Sequence, residues 1–552
     1  MEKIWLSSYA PGVPAEIDLS EYASIPHIME TAYDRFADKP AFHQMGKTIT
    51  YRELRQLSRQ FGSYLQNELN LQPGARVALM MPNVLQYPVS LFGILSAGMV
   101  VVNVNPLYTA RELQHQLNDA SAETIVIFAN SAHVLEEVVA RTPVRNIIIT
   151  GIGDMLGFPK SLLVNTVIKH VKKMVPAYDL PRAVPFMQAL SRGNAANFRP
   201  ADVKQEDIAF LQYTGGTTGV SKGAVLTHRN IVANVLQARA WIRKQITEGS
   251  EIMITPLPLY HIFSLTANCL VFSSIGALNV LITNPRDFPH FVKELKKWKF
   301  TAMTGVNTLF NALLNTEGFN TVDFSHLKTS LGGGMAVQEP VARRWKEVTG
   351  VTLVEAYGLT ETSPAACMNP IHIKEYSGYI GLPISSTLVS IRDDEDREVP
   401  LNEVGEICIQ GPQVTKGYYN RPEETARVFT ADGFFKTGDM GYMTEQGYVK
   451  LVDRKKDMVN VSGFNVYPNE IEEVVMTHPK VMEAAVIGVP DDKSGEAVKL
   501  FVVKKDSSLT VDEIKDFCKK NLTGYKVPKH YEFRDILPKT NVGKILRKDL
   551  RG

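Results

Sequence analysis

Between about residue 50 and residue 350, short β-rich apolar runs alternate with stretches whose apolar positions recur at helical spacing. Residues 76–80, 99–102, 124–128, 146–150, 280–283 and 352–354 read as strands. That rhythm predicts parallel sheets flanked by helices. After about residue 375 the pattern becomes closely spaced strands with Gly and Asp turns, such as 405–410 and 448–451. A small β-rich subdomain is expected there. The stretch from about 457 to 552 has its own alternation, with a helix at 470–477 and strands at 484–489 and 498–503. The fold class expected is α/β: a large N-terminal domain of two α/β subdomains plus the β-rich one, then a small mobile α+β domain. The charged run Asp453-Arg454-Lys455-Lys456-Asp457 is the candidate hinge, dividing the chain into 1–455 and 456–552.

Three apolar stretches test whether a membrane is involved. Residues 84–102 and 262–283 are long and uncharged, but Gln86, Pro88, Asn268 and Gly276 interrupt them. The first reads as a buried helix followed by a strand. In 160–175, Leu163, Val164, Val167, Ile168, Val171, Met174 and Val175 fall at helical spacing, with Lys169, Lys172 and Lys173 mostly on the other side. The ordinary reading is a surface helix packed on its own domain. The alternative is a basic amphipathic helix lying on an anionic bilayer.

Composition narrows the class further. A chain of 552 residues, 44% hydrophobic and 21% charged, is an ordinary folded protein. Its net charge of +2 gives no reason to expect nucleic acid as a partner. The N-terminus soon meets polar residues and Pro11, unlike a secretory signal. Cys269, Cys367, Cys408 and Cys518 are scattered without metal-ligand or disulfide spacing, which fits a reducing, cytoplasmic setting.

Candidate chemistry centres on residues 213–223. Tyr213, Thr214, Gly215, Gly216, Thr217, Thr218, Gly219, Val220, Ser221, Lys222 and Gly223 combine glycines, hydroxyls and a cation. Glycine lets backbone N–H groups turn toward a ligand, and hydroxyls and lysine bind oxyanions, so the expected guest is a polyphosphate. It is not the common P-loop, because Lys222 is followed by Gly223 and Ala224 rather than Ser or Thr. A flexible linker is the bland alternative, but the chain returns at once to the strand-like Ala224-Val225-Leu226.

Four further segments carry weaker signals. Gly332-Gly333-Gly334 precedes a helix and would let a bulky ligand approach the backbone. Tyr357-Gly358-Leu359-Thr360-Glu361 offers an aromatic for stacking and a carboxylate for Mg²⁺, or merely a core tyrosine beside a cap. Asp439 in Thr437-Gly438-Asp439 could accept ribose hydroxyls, or form an Asx-turn. Lys544, in a glycine-containing turn of a basic C-terminal stretch, could pair with polyphosphate or belong to a solvated tail.

Together, and in this order, these segments resemble the adenylate-forming (acyl-activating) enzyme superfamily over essentially the whole chain. More closely they are similar to bacterial long-chain fatty-acyl-CoA synthetases of the fatty-acid degradation type, through 211–229, 284–287, 304–314, 432–458, 461–472 and 522–528. The resemblance implies a fatty carboxylate attacking ATP to give acyl-adenylate and pyrophosphate, then CoA displacing AMP. It implies a phosphate loop at Thr214–Lys222, magnesium at Thr214 and Glu361, and an ATP site that also includes Tyr213, Gly333, Gly334, Tyr357, Thr360, Asp439 and Arg454. It assigns Lys544 to adenylation catalysis together with Glu361, Lys222 and Thr214, and the pivot to Lys456. The acyl pocket it implies includes His261, Phe263, Leu265, Val306, Gly332 and Gly333. The hairpin Gly463, Phe464 and Asn465 would line the CoA tunnel. Some relatives have a tryptophan gate where Leu265 stands, and usually Trp at Phe434. Alternatives held open are a CoA ligase for medium-chain or aryl acids and a catalytically silent nucleotide- or lipid-binding homologue. Peripheral membrane contact and a homodimer are further open expectations.

Overall fold

The computed structural model describes residues 2–214, 221–491, 494–540 and 543–551. Two large sheets dominate the chain up to Pro383. In one, Arg76–Met80 pairs in parallel with Val100–Asn103 and Thr124–Phe128, and Asn146–Thr150 extends it beyond the latter. Val100–Asn103 pairs in parallel with Ile208–Thr214, which turns into an antiparallel hairpin with Lys222–Thr227. That hairpin sets Thr214 directly opposite Lys222.

The second sheet has nine strands. Its parallel core runs Leu278–Leu281, Ile252–Thr255, Ala302–Gly305, Thr329–Gly332 and Leu353–Gly358. These strands are largely buried on both faces, as parallel strands sandwiched between helices are. The helix Gln86–Ser96 is nearly all buried and the helix His228–Ile242 largely so, which explains why their sequences lack a polar face. The helix Tyr51–Ser63 is strongly amphipathic and starts at a capping box, in which Thr50 and Glu53 satisfy each other's backbone N–H.

A four-stranded antiparallel sheet follows, Leu388–Arg392, Gly405–Gln410, Phe435–Met443 and Val449–Arg454. The C-terminal part has its own sheet, centred on the long pair Val481–Asp491 and Gly495–Lys504, and its own core. Helices Pro468–Met476 and Val511–Asn521 cover it. The α/β architecture with a small C-terminal domain is as the sequence predicts.

Two expectations need correction. The strand expected at 280–283 is Leu278–Leu281, because an apolar run without alternation carries no mark of its register or its ends. The segment 160–175 forms the short helix Lys160–Thr166 and a π-helical turn Val167–Val171, and none of these residues is buried. Leu162, Leu163, Val171 and Met174 are all more than half exposed, while Val164, Val167, Ile168 and Val175 are half-buried, so the apolar stripe is only partly packed on its own domain. Among the described residues, no helix is long and apolar enough to cross a membrane.

Candidate active site

A cavity of about 970 Å³ opens where the C-terminal ends of both sheets meet the C-terminal domain. The sheet topology explains the location, since parallel strands end together and their following loops converge. Tyr213, Thr214 and Lys222 line it from the hairpin, and Gly333, Gly334, Tyr357, Thr360 and Glu361 from the nine-stranded sheet. Asp439, Arg454 and Lys456 enter from the antiparallel sheet and its exit, and Lys544 from the C-terminal domain. Gly215, Gly216, Thr217, Thr218 and Gly219 lie outside the described residues.

Tyr357 and Asp439 are coupled. The Tyr357 hydroxyl donates to Asp439 Oδ2 at 2.7 Å, while Arg454 Nε lies 3.3 Å from Oδ1. Asp439 and Arg454 are paired across neighbouring strands, so the ladder itself fixes this ion pair. Burial, helped by the Asp439 charge, holds the Tyr357 phenol well above its ordinary range. It stays protonated and keeps donating.

Glu361 is buried, and the Tyr418 hydroxyl donates to its Oε1 at 2.7 Å. Burial raises its pKa, partly offset by the Tyr418 hydrogen bond. Lys222 pairs with Glu424 and lies 5.4 Å above the Tyr418 ring. The Tyr213 hydroxyl points away from this group and donates to Asp119, which also pairs with Arg421. Tyr418, Glu424 and Glu355 are site residues that sequence reasoning missed. Only the paired Tyr418 and Tyr419 after Gly417 gave a local sign.

The Lys544 loop is held by the large domain. The Thr308 hydroxyl donates to the Gly543 carbonyl at 2.9 Å, and the Asn311 amide donates to the Met482 carbonyl at 3.2 Å. Gly543 has φ +87°, and an added Cβ would lie 2.7 Å from Thr308 Oγ1, so this seat requires glycine. Burial, reinforced by the Arg454 charge, lowers the Lys544 pKa to about 8. The same causes bring Lys456 to about 8. His261 falls to about 4 through burial and the nearby Lys544 charge, so its ring is neutral at pH 7.

The apolar arm of the cavity is lined by His261, Phe263, Val306 and Gly333 where it meets the charged group. Leu265 and Gly332 do not line it. Leu265 is fully buried in the core, and Gly332 faces Val337, 2.5 Å from where a Cβ would sit. Gly463, Phe464 and Asn465 also lie apart from the cavity, on a hairpin where Phe464 is exposed and stacked on Tyr525 at 4.7 Å. The junction between the domains is tied by Arg547, which contacts Asp453 at 3.0 Å and Glu472 at 2.9 Å.

The model of the AMP-binding enzyme family matches residues 29–419, and that of the AMP-binding enzyme C-terminal domain matches 470–544. Proteins named long-chain-fatty-acid–CoA ligase from Yersinia pestis and Salmonella typhimurium are each 57% identical over all of this chain and 98% of their own. Among solved structures, the anthranilate CoA ligase AuaEII in complex with anthranoyl-AMP superposes with a TM-score of 0.86 at 25% identity, covering 97% of this chain and 98% of its own. With a family model spanning most of its length and full-length relatives more than half identical to it, the chain belongs to the AMP-binding enzyme family.

Proposed function

We propose that this enzyme is an ATP- and Mg²⁺-dependent long-chain fatty acid–CoA ligase that works through an acyl-adenylate. The observation that carries the reading is a single cavity with two characters. One end gathers Lys222, Glu361, Asp439, Arg454 and Lys544, and the other is an apolar arm. Full-length relatives named for this activity support the substrate class.

In the first step the fatty carboxylate attacks the α-phosphorus of ATP and pyrophosphate leaves. Negative charge builds on the phosphoryl oxygens, and the Lys544 ammonium, pre-set beside Thr308 of the large domain through the Gly543 carbonyl, stabilises it there. Lys222 and the loop beginning at Thr214 hold the β- and γ-phosphates. Asp439 accepts the ribose hydroxyls, Arg454 contacts the same nucleotide, and Tyr357 stacks on the adenine. The donor set suits magnesium. Among the described residues there is no cluster of three or more His, Cys, Asp or Glu, and Mg²⁺ takes one or two carboxylates plus phosphate oxygens. Glu361 and Thr214 would hold it, and the cation supplies charge neutralisation on the phosphates.

In the second step the CoA thiol attacks the acyl carbonyl and AMP leaves. The two steps require different groups at one place, so the domain from 456 to 552 pivots on Lys456 relative to 1–455. That pivot would bring the Gly463–Phe464–Asn465 hairpin toward the cavity and carry Lys544 away. The exposed apolar and lysine-bearing segment 160–175 supports a peripheral seat on the inner face of the cell membrane, where fatty acid is delivered.

Pyrophosphate release, measured with ATP and Mg²⁺ across acids from acetate to oleate, tests the reading. Release should rise with chain length, and acyl-CoA and AMP should accumulate when CoA is added. Release only with aryl or short acids would overturn the long-chain assignment.

A further inference from the structure

The cavity does not stop beneath the nucleotide site. Its apolar arm continues between the helix His228–Ile242 and the face of the nine-stranded sheet. Asn234, Ala238 and Ile242, spaced four apart, present one stripe of that helix to it. Met253, Ala302 and Leu331 line the sheet side. The arm reaches the N-terminal ends of the strands, where Gln245, Glu251, Lys328 and Thr329 also line it. From Gly333 back to Thr329 is four residues of extended chain, roughly 13 Å at the rise of a strand. The channel therefore runs along the strands from their C-terminal to their N-terminal ends.

The far end is polar. The Lys328 ammonium lies 2.5 Å from Glu251 Oε1, which also accepts the Thr247 amide at 2.5 Å. The Glu251 side chain is 2% exposed and that of Lys328 37%, so the pair stands between the channel and solvent. The Thr329 hydroxyl lies 3.5 Å from Gln245 Oε1 beside it.

We propose that the Glu251–Lys328 pair is the polar stop that closes the acyl channel and sets the longest unsubstituted chain the enzyme activates efficiently. This rests on the fatty-acid reading above and deepens it. A chain lying along Ala238 and Leu331 gains from each methylene it buries, roughly fourfold in affinity, the equivalent of about 0.8 kcal/mol. A methyl end that meets the pair gains nothing more, because pushing Lys328 aside would leave the buried Glu251 carboxylate without its counter-charge. Past that length the gain ends.

The test is the dependence of kcat/KM for pyrophosphate release on the length of saturated acids. The native enzyme should climb with each methylene and then level. A Glu251→Leu/Lys328→Leu double variant should match it below that length and level two or more carbons later. A profile that superimposes on the native one, or that falls uniformly at every length, overturns the stop. If the double variant fails to fold, Glu251→Gln/Lys328→Met keeps the shape, removes the charges and should show the same outward shift. Ala238→Phe, which narrows the channel midway, should abolish activity on long acids and spare short ones. If Ala238→Phe does this and neither pair variant shifts the profile, the route stands and the stop is refuted. Failure of the ligase reading looks different, since the native enzyme would then release pyrophosphate with no fatty acid of any length.

Discussion

The Thr308 hydroxyl donates to the carbonyl of Gly543, tying the loop that bears Lys544 to the start of the helix Asn307–Leu314. It crosses between the two family domains, so it exists only while the C-terminal domain is seated in this way. Thr308→Val should weaken that seating by one hydrogen bond, about 1 kcal/mol. Single-turnover adenylation is expected to slow roughly fivefold, with thioester formation from supplied acyl-adenylate unchanged. Equal slowing of both steps would refute a role confined to the first.

Lys544→Ala should be far more severe. Removing one well-aimed charge donor from a transition state costs on the order of 10²–10³ in rate. Pyrophosphate release should fall by that factor while preformed acyl-adenylate still reacts with CoA. Measuring the two half-reactions separately checks it.

The pH dependence follows from the buried ammonium. Burial lowers Lys544 to about 8, so its charged form dominates below pH 8 and is lost above it. Because kcat/KM reports groups of the free enzyme, adenylation kcat/KM should decline as pH rises past about 8. In Lys544→Arg, whose guanidinium does not titrate in this range, the residual activity should lose that decline. A decline that persists in the variant would assign it to another group.

Asp439 has two partners, the Tyr357 hydroxyl and Arg454. Asp439→Ala strands both, and kcat/KM for ATP should drop at least a hundredfold, about 3 kcal/mol. Tyr357→Phe removes one hydroxyl and keeps the ring, so its loss should stay within about tenfold. Steady-state kinetics in ATP distinguishes stacking from hydrogen bonding as the work of Tyr357.

Replacing Lys169, Lys172 and Lys173 with Glu should reduce partition onto vesicles containing anionic lipid and leave activity on a water-soluble medium-chain acid unchanged. Each lysine near such a surface contributes about 1 kcal/mol. Unchanged partition would remove this segment from any membrane contact.

Much of this was legible in the sequence because local pattern and local chemistry coincide there. Strands such as Arg76–Met80 and Thr124–Phe128 begin and end at clear breaks, and their bounds are read correctly. Thr214, Glu361, Asp439 and Lys544 sit in glycine- or hydroxyl-rich turns that advertise ligand binding, and the fold brings all four to one cavity. What escaped depends on distant residues meeting. Glu424 faces Lys222, Tyr418 reaches Glu361 and Thr308 reaches Gly543 across separations that no local pattern records. The exposed apolar residues of 160–175 escaped for the opposite reason. Helical spacing predicts a buried stripe, but whether another element covers it is decided elsewhere in the chain.

Asp439 and Arg454 grip each other from neighbouring strands, and both precede Lys456 in the chain. Under the proposed pivot, everything that turns comes after the grip. The nucleotide stays clamped in stationary strands while the catalytic loop departs and the thiol route arrives. An acyl-adenylate is a mixed anhydride that would acylate almost any amine it met in solution. On that proposal the order of residues along the chain doubles as containment: a reagent hazardous to the cell's own proteins would be made, held and spent without being released.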